Sequence, residues 1–167
     1  FTSFFVYDGV SVEAHRMPEF CLFFNVCGDR ILTSAESSGL VRVDPLTGTF
    51  TEEDGVPFDS QLVSVQKRSD SEWLMVTYSD GIFIYDGSGY RRFMTEVDSE
   101  LPVWQPNNAI MTPSGDIVIG TKLNGAVCIA ADGRKKWNVS NSNVLNCNTV
   151  LGMSLDCNGN LWLGLGG

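Results

Sequence analysis

The sequence predicts an all-β fold, and three observations support this prediction. A short apolar strand, usually opened by Gly and closed by Asp, recurs at 3–8, 39–44, 81–86 and 125–130. Equivalent positions in successive units are about 42 to 44 residues apart. Apolar residues at helical spacing are not sustained over any stretch of about ten residues. A period of about 40–45 residues with several strands per unit is typical of a β-propeller blade. We therefore expect a β-propeller or propeller fragment of about four blade-equivalents, each with four antiparallel strands.

Within one unit the strands are expected to follow one another as a meander. Strand a is predicted at 61–66, strand b at 73–77, strand c at 82–85 and strand d at 90–93. Asp-Gly and Asn-Gly dipeptides separate the strands, because Gly reaches positive φ without steric cost and Asp or Asn bonds the neighbouring backbone. One such sheet cannot cover both of its faces, so each blade must stack on its neighbours.

The 167 residues are predicted to form a single, partial propeller domain. Whole blades are expected at about 18–59, 60–102 and 103–146, and half-blades at 147–167 and 1–17. The first half-blade would supply strands c and d, at 4–7 and 10–14, and the last would supply strands a and b. The two pieces either complete one blade and close a four-bladed ring, or belong to an arc of a larger ring. Because both ends look cut within a repeat, we favour the larger ring.

The composition is that of a globular protein, with 43% apolar residues. Twenty acids against eleven bases give a net charge of −9, and the acids are scattered along the chain. This acidity disfavours nucleic acid and anionic membranes as partners. The apolar runs have the length of strands, so no helix is expected to insert into a membrane.

The cysteines argue against a disulfide framework and against a zinc site, because their number is odd and no C-x-x-C pair occurs. They are Cys21, Cys27, Cys128, Cys147 and Cys157. Cys128 is expected to be a small core residue. Whether Cys147 pairs with Cys157 stays open. No metal or cofactor is expected.

Catalytic residues are scarce in this sequence. His15 is the single histidine, and no G-x-S-x-G step is present. His15 is expected to be a surface or edge residue rather than a catalytic base. The stretch 156–160 resembles a calcium loop superficially, but the turn between strands a and b explains it better.

The stretch 148–165 resembles the two-component-regulator propeller repeat. It supplies Asn148, Asp156 and Gly164, together with the run from Gly159 to Trp162. The strand at 81–86 is similar to strand c of that family. The family's position for Trp is taken by Val118 in the preceding unit.

This resemblance implies a periplasmic sensor propeller. In the family, paired propellers precede an immunoglobulin-like triple-tyrosine domain, a membrane helix and a histidine-kinase or helix-turn-helix output. Many members respond to oligosaccharides. The residues that repeat are those that build blades, so a ligand site is expected where the copies differ.

The candidate ligand-binding residues are Trp104, Asn107, Asn108 and Asn148. The run 104–108 is predicted to lie in the loop that enters an inner strand, and such loops rim one face of the central channel. An aromatic plate with neighbouring amides suits a sugar ring. The alternative is that Trp104 plugs a junction between blades. Trp73 and Trp162 are expected to pack between blades.

The sequence thus favours a non-catalytic, ligand-sensing extracytoplasmic module of a bacterial signal-transduction protein, with oligosaccharides as the expected ligand class. Its other expected contacts are the remainder of the parent sensor or a second copy. The main alternative is a scaffold for protein–protein contact or dimerisation. A propeller enzyme is the third alternative, and it would require acids clustered in the channel.

Overall fold

The computed structural model describes residues 3–36 and 39–167. In this part of the chain, antiparallel strands are interrupted by one short helix. The strands are β1 (Ser3–Tyr7), β2 (Val12–Arg16), β3 (Cys21–Cys27), β4 (Arg30–Ala35), β5 (Gly39–Val43), β6 (Phe50–Glu52), β7 (Leu62–Lys67), β8 (Trp73–Thr77), β9 (Ile82–Tyr85), β10 (Tyr90–Phe93), β11 (Pro106–Met111), β12 (Ile117–Thr121), β13 (Ala126–Ile129), β14 (Lys135–Val139), β15 (Val150–Leu155) and β16 (Leu161–Leu165). Helix α1 (Leu101–Trp104) lies between β10 and β11.

The strands form three four-stranded sheets and two two-stranded sheets. Each larger sheet is a meander in chain order: β3–β6 is blade 1, β7–β10 is blade 2 and β11–β14 is blade 3. The pair β1–β2 is the first half-blade, and the pair β15–β16 is the second. This architecture confirms the predicted all-β propeller fold.

The first strand of each blade lies on the inside of the arc. Strand β3 contacts β7, β7 contacts β11, and β11 contacts β15. Side chains of these inner strands also bond to the backbone of the next blade. The bonds join Asn25 Oδ1 to the Val65 N–H (3.0 Å), Gln66 Oε1 to the Met111 N–H (3.3 Å) and Asn107 Nδ2 to the Val150 carbonyl (2.9 Å). The inner strands are therefore connected by a series of side-chain-to-backbone hydrogen bonds, which we call polar clips.

The hydrophobic core is divided into layers between neighbouring blades. On blade 2, Leu74 and Ile84 join Ile119 of blade 3 in one cluster. Met75 and Phe83 point to the opposite face and join a cluster with residues of blade 1. Because successive residues of a strand point to opposite faces, blade 2 is covered on both sides.

The two half-blades are covered on one side only. In the first, Phe4 contacts Phe50 of blade 1 with ring centroids 6.2 Å apart, whereas Phe5 is exposed. In the second, Leu163 packs towards blade 3, whereas Trp162 is exposed. The expected packing of Trp162 between blades is therefore not seen, because no further blade lies on that side of the strand among the described residues.

His15 was predicted to be a surface or edge residue, and the structure places it on the edge strand β2. Its side chain is only 16% exposed and stacks on Phe4, with ring centroids 5.0 Å apart. His15 is thus a packing residue on an edge strand rather than a surface residue. The reason is the alternation of β2, which turns this one side chain towards the neighbouring sheet.

Helix α1, the one helix of the described residues, is a single turn and far too short to cross a membrane. No disulfide bond joins any two cysteines among the described residues. Cys128 is buried in the layer between blade 3 and the second half-blade, as expected for a core residue.

Candidate functional site

One face of the arc carries the connections between strands b and c and the connections that enter each inner strand. In three successive units the residue after strand b donates its N–H to the residue before strand a. The bonds run from Tyr78 to Gln61 (2.8 Å), from Lys122 to Gln105 (2.9 Å) and from Gly166 to Thr149 (2.9 Å). We call this face the loop rim. Its backbone is repetitive, but its side chains differ from unit to unit.

Trp104 lies on the loop rim at the end of α1. It is partly buried and packs against the layer between blades 2 and 3. Its carbonyl accepts the Leu123 N–H at 3.1 Å. The next residue, Gln105, has φ of 58°, in the left-handed region that non-glycine residues rarely adopt. The chain thus turns sharply after Trp104. The ring packs at the junction between blades 2 and 3, as the interpretation of Trp104 as a plug expects, and its contact with a ligand stays a prediction.

Asn107 and Asn108 lie inside strand β11 rather than in the loop that precedes it. Asn107 donates its amide to the Val150 carbonyl at 2.9 Å, and this bond clips blade 3 to the second half-blade. The Oδ1 atom of Asn108 is buried without a hydrogen-bond partner among the described residues. The loop prediction failed here because the strand begins at Pro106, directly after the turn at Gln105.

Asn148 also has a structural role. Its Oδ1 accepts the Asn141 N–H at 2.7 Å, and its carbonyl accepts the Gly125 N–H at 2.9 Å. Asn148 therefore ties the connection into β15 to the turn that opens β13. Of the four predicted residues, Asn107 and Asn148 thus use their side chains in hydrogen bonds within the protein.

Lys122 is a rim residue that the sequence analysis did not single out. It is exposed, and its Nζ lies 5.5 Å from the centre of the Tyr78 ring. Among the described residues, no carboxylate forms an ion pair with it. A signal existed in the sequence, because Tyr78 and Lys122 occupy the same position in consecutive repeats. Such positions are adjacent when blades stack.

A groove of about 520 Å3 lies on the same face between blades 1 and 2. Phe58 forms part of its wall, and Glu53 lies in it while pairing with Arg30 (3.3 Å) and Arg42 (3.8 Å). The groove has the volume of a small-molecule site, but its acidic lining opposes anionic ligands. The acids are Glu36, Glu52, Glu53, Asp54 and Asp59. The sequence analysis missed this groove because its walls combine the β4–β5 turn of blade 1 with the connection that enters β7, which only the folded arrangement brings together.

The loop at Asp156 is a strand connection. The Asp156 carboxylate accepts N–H groups of Asn158 and Asn160 at 2.9 Å each, and the indole N–H of Trp162 at 3.1 Å. Hydrogen bonds from the Asn160 and Trp162 side chains hold the pKa of Asp156 at about 2. Its oxygens are occupied, which agrees with the turn rather than the calcium loop. Among the described residues, no group of three acids, cysteines or histidines could hold a metal ion.

Two solved extracellular domains have a similar fold. The extracellular domain of the hybrid two-component system BT3049 from B. thetaiotaomicron matches with a TM-score of 0.65 and 19% identity, over 98% of this chain and 25% of that domain. The extracellular domain of BT4673 from the same organism matches with a TM-score of 0.52 and 17% identity, over 98% and 30%. This chain thus spans less than a third of either domain.

An enzyme has the same fold. Virginiamycin B lyase from Staphylococcus aureus matches with a TM-score of 0.69 and 12% identity, over 97% of this chain and 56% of the lyase. No protein-family model and no curated protein matches the sequence. The chain therefore has the propeller fold.

Proposed function

We propose that this chain is a non-catalytic, ligand-sensing propeller module of an extracytoplasmic signalling protein, and that its ligands are oligosaccharides. The likeness to two extracellular domains of signalling systems is the observation that carries the proposal. The repeat at 148–165 supports it independently. The same two observations support a periplasmic location.

The proposed sugar site is the part of the loop rim around Trp104. The indole of Trp104 is only partly buried, so part of it is available for stacking on the apolar face of a sugar ring. The ammonium group of Lys122 and the Tyr78 ring lie on the adjoining connections. Hydrogen bonds from Lys122 to Gln105 and from Leu123 to Trp104 order the backbone on both sides of the indole, which lowers the cost of ordering the site on binding.

Signalling would require that the ligand favours one of two arrangements of the parent sensor. A rim between blades suits this role, since a sugar that bridges the connections of two blades would bind differently when the blades shift. The chain itself would supply recognition and no chemistry. The likeness to the lyase keeps a propeller enzyme as an alternative. Such an enzyme would need catalytic acids or a base, and the described residues of the rim around Trp104 do not present such a set.

The test is calorimetric titration of the chain with a panel of oligosaccharides released from plant and host glycans. We expect saturable binding of at least one member. Replacement of Trp104 by Leu keeps an apolar anchor in the core but removes the stacking surface. The dissociation constant should then rise about tenfold, corresponding to about 1.4 kcal/mol.

The matched control is Trp137→Leu, because Trp137 is a half-exposed indole on β14, the outer strand of blade 3. The Trp137→Leu variant should bind the oligosaccharide with the same affinity as the unmodified chain. If no oligosaccharide in the panel binds, or if both substitutions weaken binding equally, the proposed site is wrong.

A further inference from the structure

The junction between blades 2 and 3 on the loop rim brings three chemically different side chains together. Trp104 packs against the layer between these two blades. The Lys122 N–H donates to the Gln105 carbonyl at 2.9 Å, so the lysine lies beside the turn that follows the indole. Tyr78 comes from the connection of blade 2, and the centre of its ring is 5.5 Å from Lys122 Nζ. Both blades are four-stranded sheets, so the two sides of this junction are built within the chain.

The backbone of Lys122 is held from two directions. Its N–H bonds to blade 3's own entering connection, and its carbonyl accepts the Thr149 hydroxyl at 2.9 Å. The next N–H, of Leu123, donates to the Trp104 carbonyl at 3.1 Å. The lysine side chain itself is exposed. The base of the side chain is therefore fixed close to the indole while its charged end faces solvent, which lowers the cost of ordering it on a ligand.

The charge of Lys122 has no carboxylate partner. Most basic side chains of the described residues form ion pairs with acids, whereas Lys122 forms none. Its contact with the Tyr78 ring is an attraction between a cation and an aromatic face. An ammonium group carries three donors and no acceptor, and a ring face does not use them all. An anionic group could therefore bind here without displacing an existing ion pair.

The acids of the neighbouring connections are engaged elsewhere. Asp80 follows Tyr78 by two residues, but its Oδ2 accepts two backbone N–H groups of its own blade at 2.8 Å each. Asp98, which precedes α1, forms an ion pair with Arg92 at 3.1 Å. These two carboxylates are thus held in other bonds, and the ammonium charge of Lys122 stays uncompensated in the described part of the chain.

The neighbouring junction on the same face has the opposite character. The groove between blades 1 and 2 is lined by several acids, among them Glu36 and Asp54. An anion is therefore disfavoured at that junction and favoured beside Lys122. The net charge of −9 also acts against an anion at long range. Screening over about 8 Å at physiological ionic strength limits this repulsion, so the charge at the contact decides.

We propose that Lys122 makes the site around Trp104 selective for acidic oligosaccharides, in which a carboxylate or a sulfate accompanies a ring that can stack. This inference rests on the proposed function and names its ligand class. The indole would contact the apolar face of one sugar ring, and the ammonium would bind the anionic group of that ring or of the next. Lysine acts as a point charge without the fixed fork of arginine, so it accepts either anion.

The test is calorimetric titration with pairs of sugars that differ only in charge. One pair is oligogalacturonate and its methyl ester, and the other is a sulfated carrageenan fragment and its desulfated form. We expect the charged member of at least one pair to bind about fivefold more tightly than its neutral counterpart, as for an exposed ion pair. Lys122→Gln should abolish this difference and leave the affinity for the neutral sugar unchanged. Lys122→Arg should retain the preference, because it keeps the charge.

The matched control is Lys135→Gln. Lys135 is also exposed and without an ion pair among the described residues, but it lies at the start of β14, at the end of blade 3 away from the loop rim. This variant should bind all the sugars as the unmodified chain does.

Two different failures can be told apart. Equal affinity for the charged and neutral members, or a preference that survives in Lys122→Gln, would overturn this inference. The proposed sugar site would still stand in that case if Trp104→Leu weakens both members. Absence of binding by every sugar would overturn the proposed function and this inference together.

Discussion

At the scale of single residues, the repeated glycine that opens strand c has a steric cause. Gly125 has φ of 66°, and a Cβ atom at this position would collide with the Val139 carbonyl oxygen. Its N–H donates to the Asn148 carbonyl at 2.9 Å. The position therefore requires both a left-handed backbone and the absence of a side chain, because strand β14 and the next connection approach closely.

We predict that Gly125→Ala is more destabilising than Gly159→Ala, which is its matched control. Gly159 also has positive φ, of 80°, but a Cβ atom at this position would have no neighbouring atom within 4 Å. The Gly159 substitution should cost about 1–2 kcal/mol for the left-handed backbone alone. Gly125→Ala should cost roughly 1–3 kcal/mol more, because the carbonyl must move. Denaturant unfolding measures both values, and equal losses would show that the close approach is not rigid.

At the scale of elements, the polar clips fix each inner strand against the inner strand of the next blade. Asn25 of β3 accepts the Val65 N–H of β7 at 3.0 Å, and Val65 is 8% exposed. This N–H faces the neighbouring blade, so it has little access to water. A clip of this kind satisfies a backbone donor that the sheet itself leaves free.

We predict that Asn25→Ala lowers the free energy of unfolding by about 1–3 kcal/mol, since the Val65 N–H loses its acceptor in a buried place. The control is Asn158→Ala, in the exposed turn between β15 and β16. That substitution should change stability by less than about 0.5 kcal/mol. An Asn25 variant as stable as the control would mean that water replaces the amide.

The sequence predicted most strands of the complete blades and missed features that depend on neighbouring elements. Strands β9 and β10 lie at 82–85 and 90–93, as expected from their flanking turns. Strand β2 begins two residues later than predicted, because Asp8 first binds the backbone of Val10 and Ser11 in the turn. Helix α1 is a single turn, and four residues are too few for helical periodicity to be visible.

At the scale of the whole molecule, the candidate site was only partly predictable. The repeat located the loop rim correctly, because it fixes where connections lie in every blade. It did not reveal that Asn107 acts as a clip, since that bond depends on Val150 of the next unit. The Lys122–Tyr78 contact is likewise a product of stacking. Residues that build blades repeat and are visible in one sequence, whereas contacts between blades require the arrangement of the sheets.

The arrangement of layers predicts a gradient of stability along the arc. In a stacked repeat array each unit is stabilised mainly by its neighbours, so the half-blades, covered on one side, should open most readily. We expect backbone amides of β8, β9, β12 and β13 to exchange slowest with solvent deuterium, and those of β1, β2 and β16 to exchange fastest.

Hydrogen exchange followed by mass spectrometry measures this gradient. Equal exchange in all sheets would contradict the prediction, because it would mean that the arc opens as one unit in which covered and uncovered sheets have the same stability.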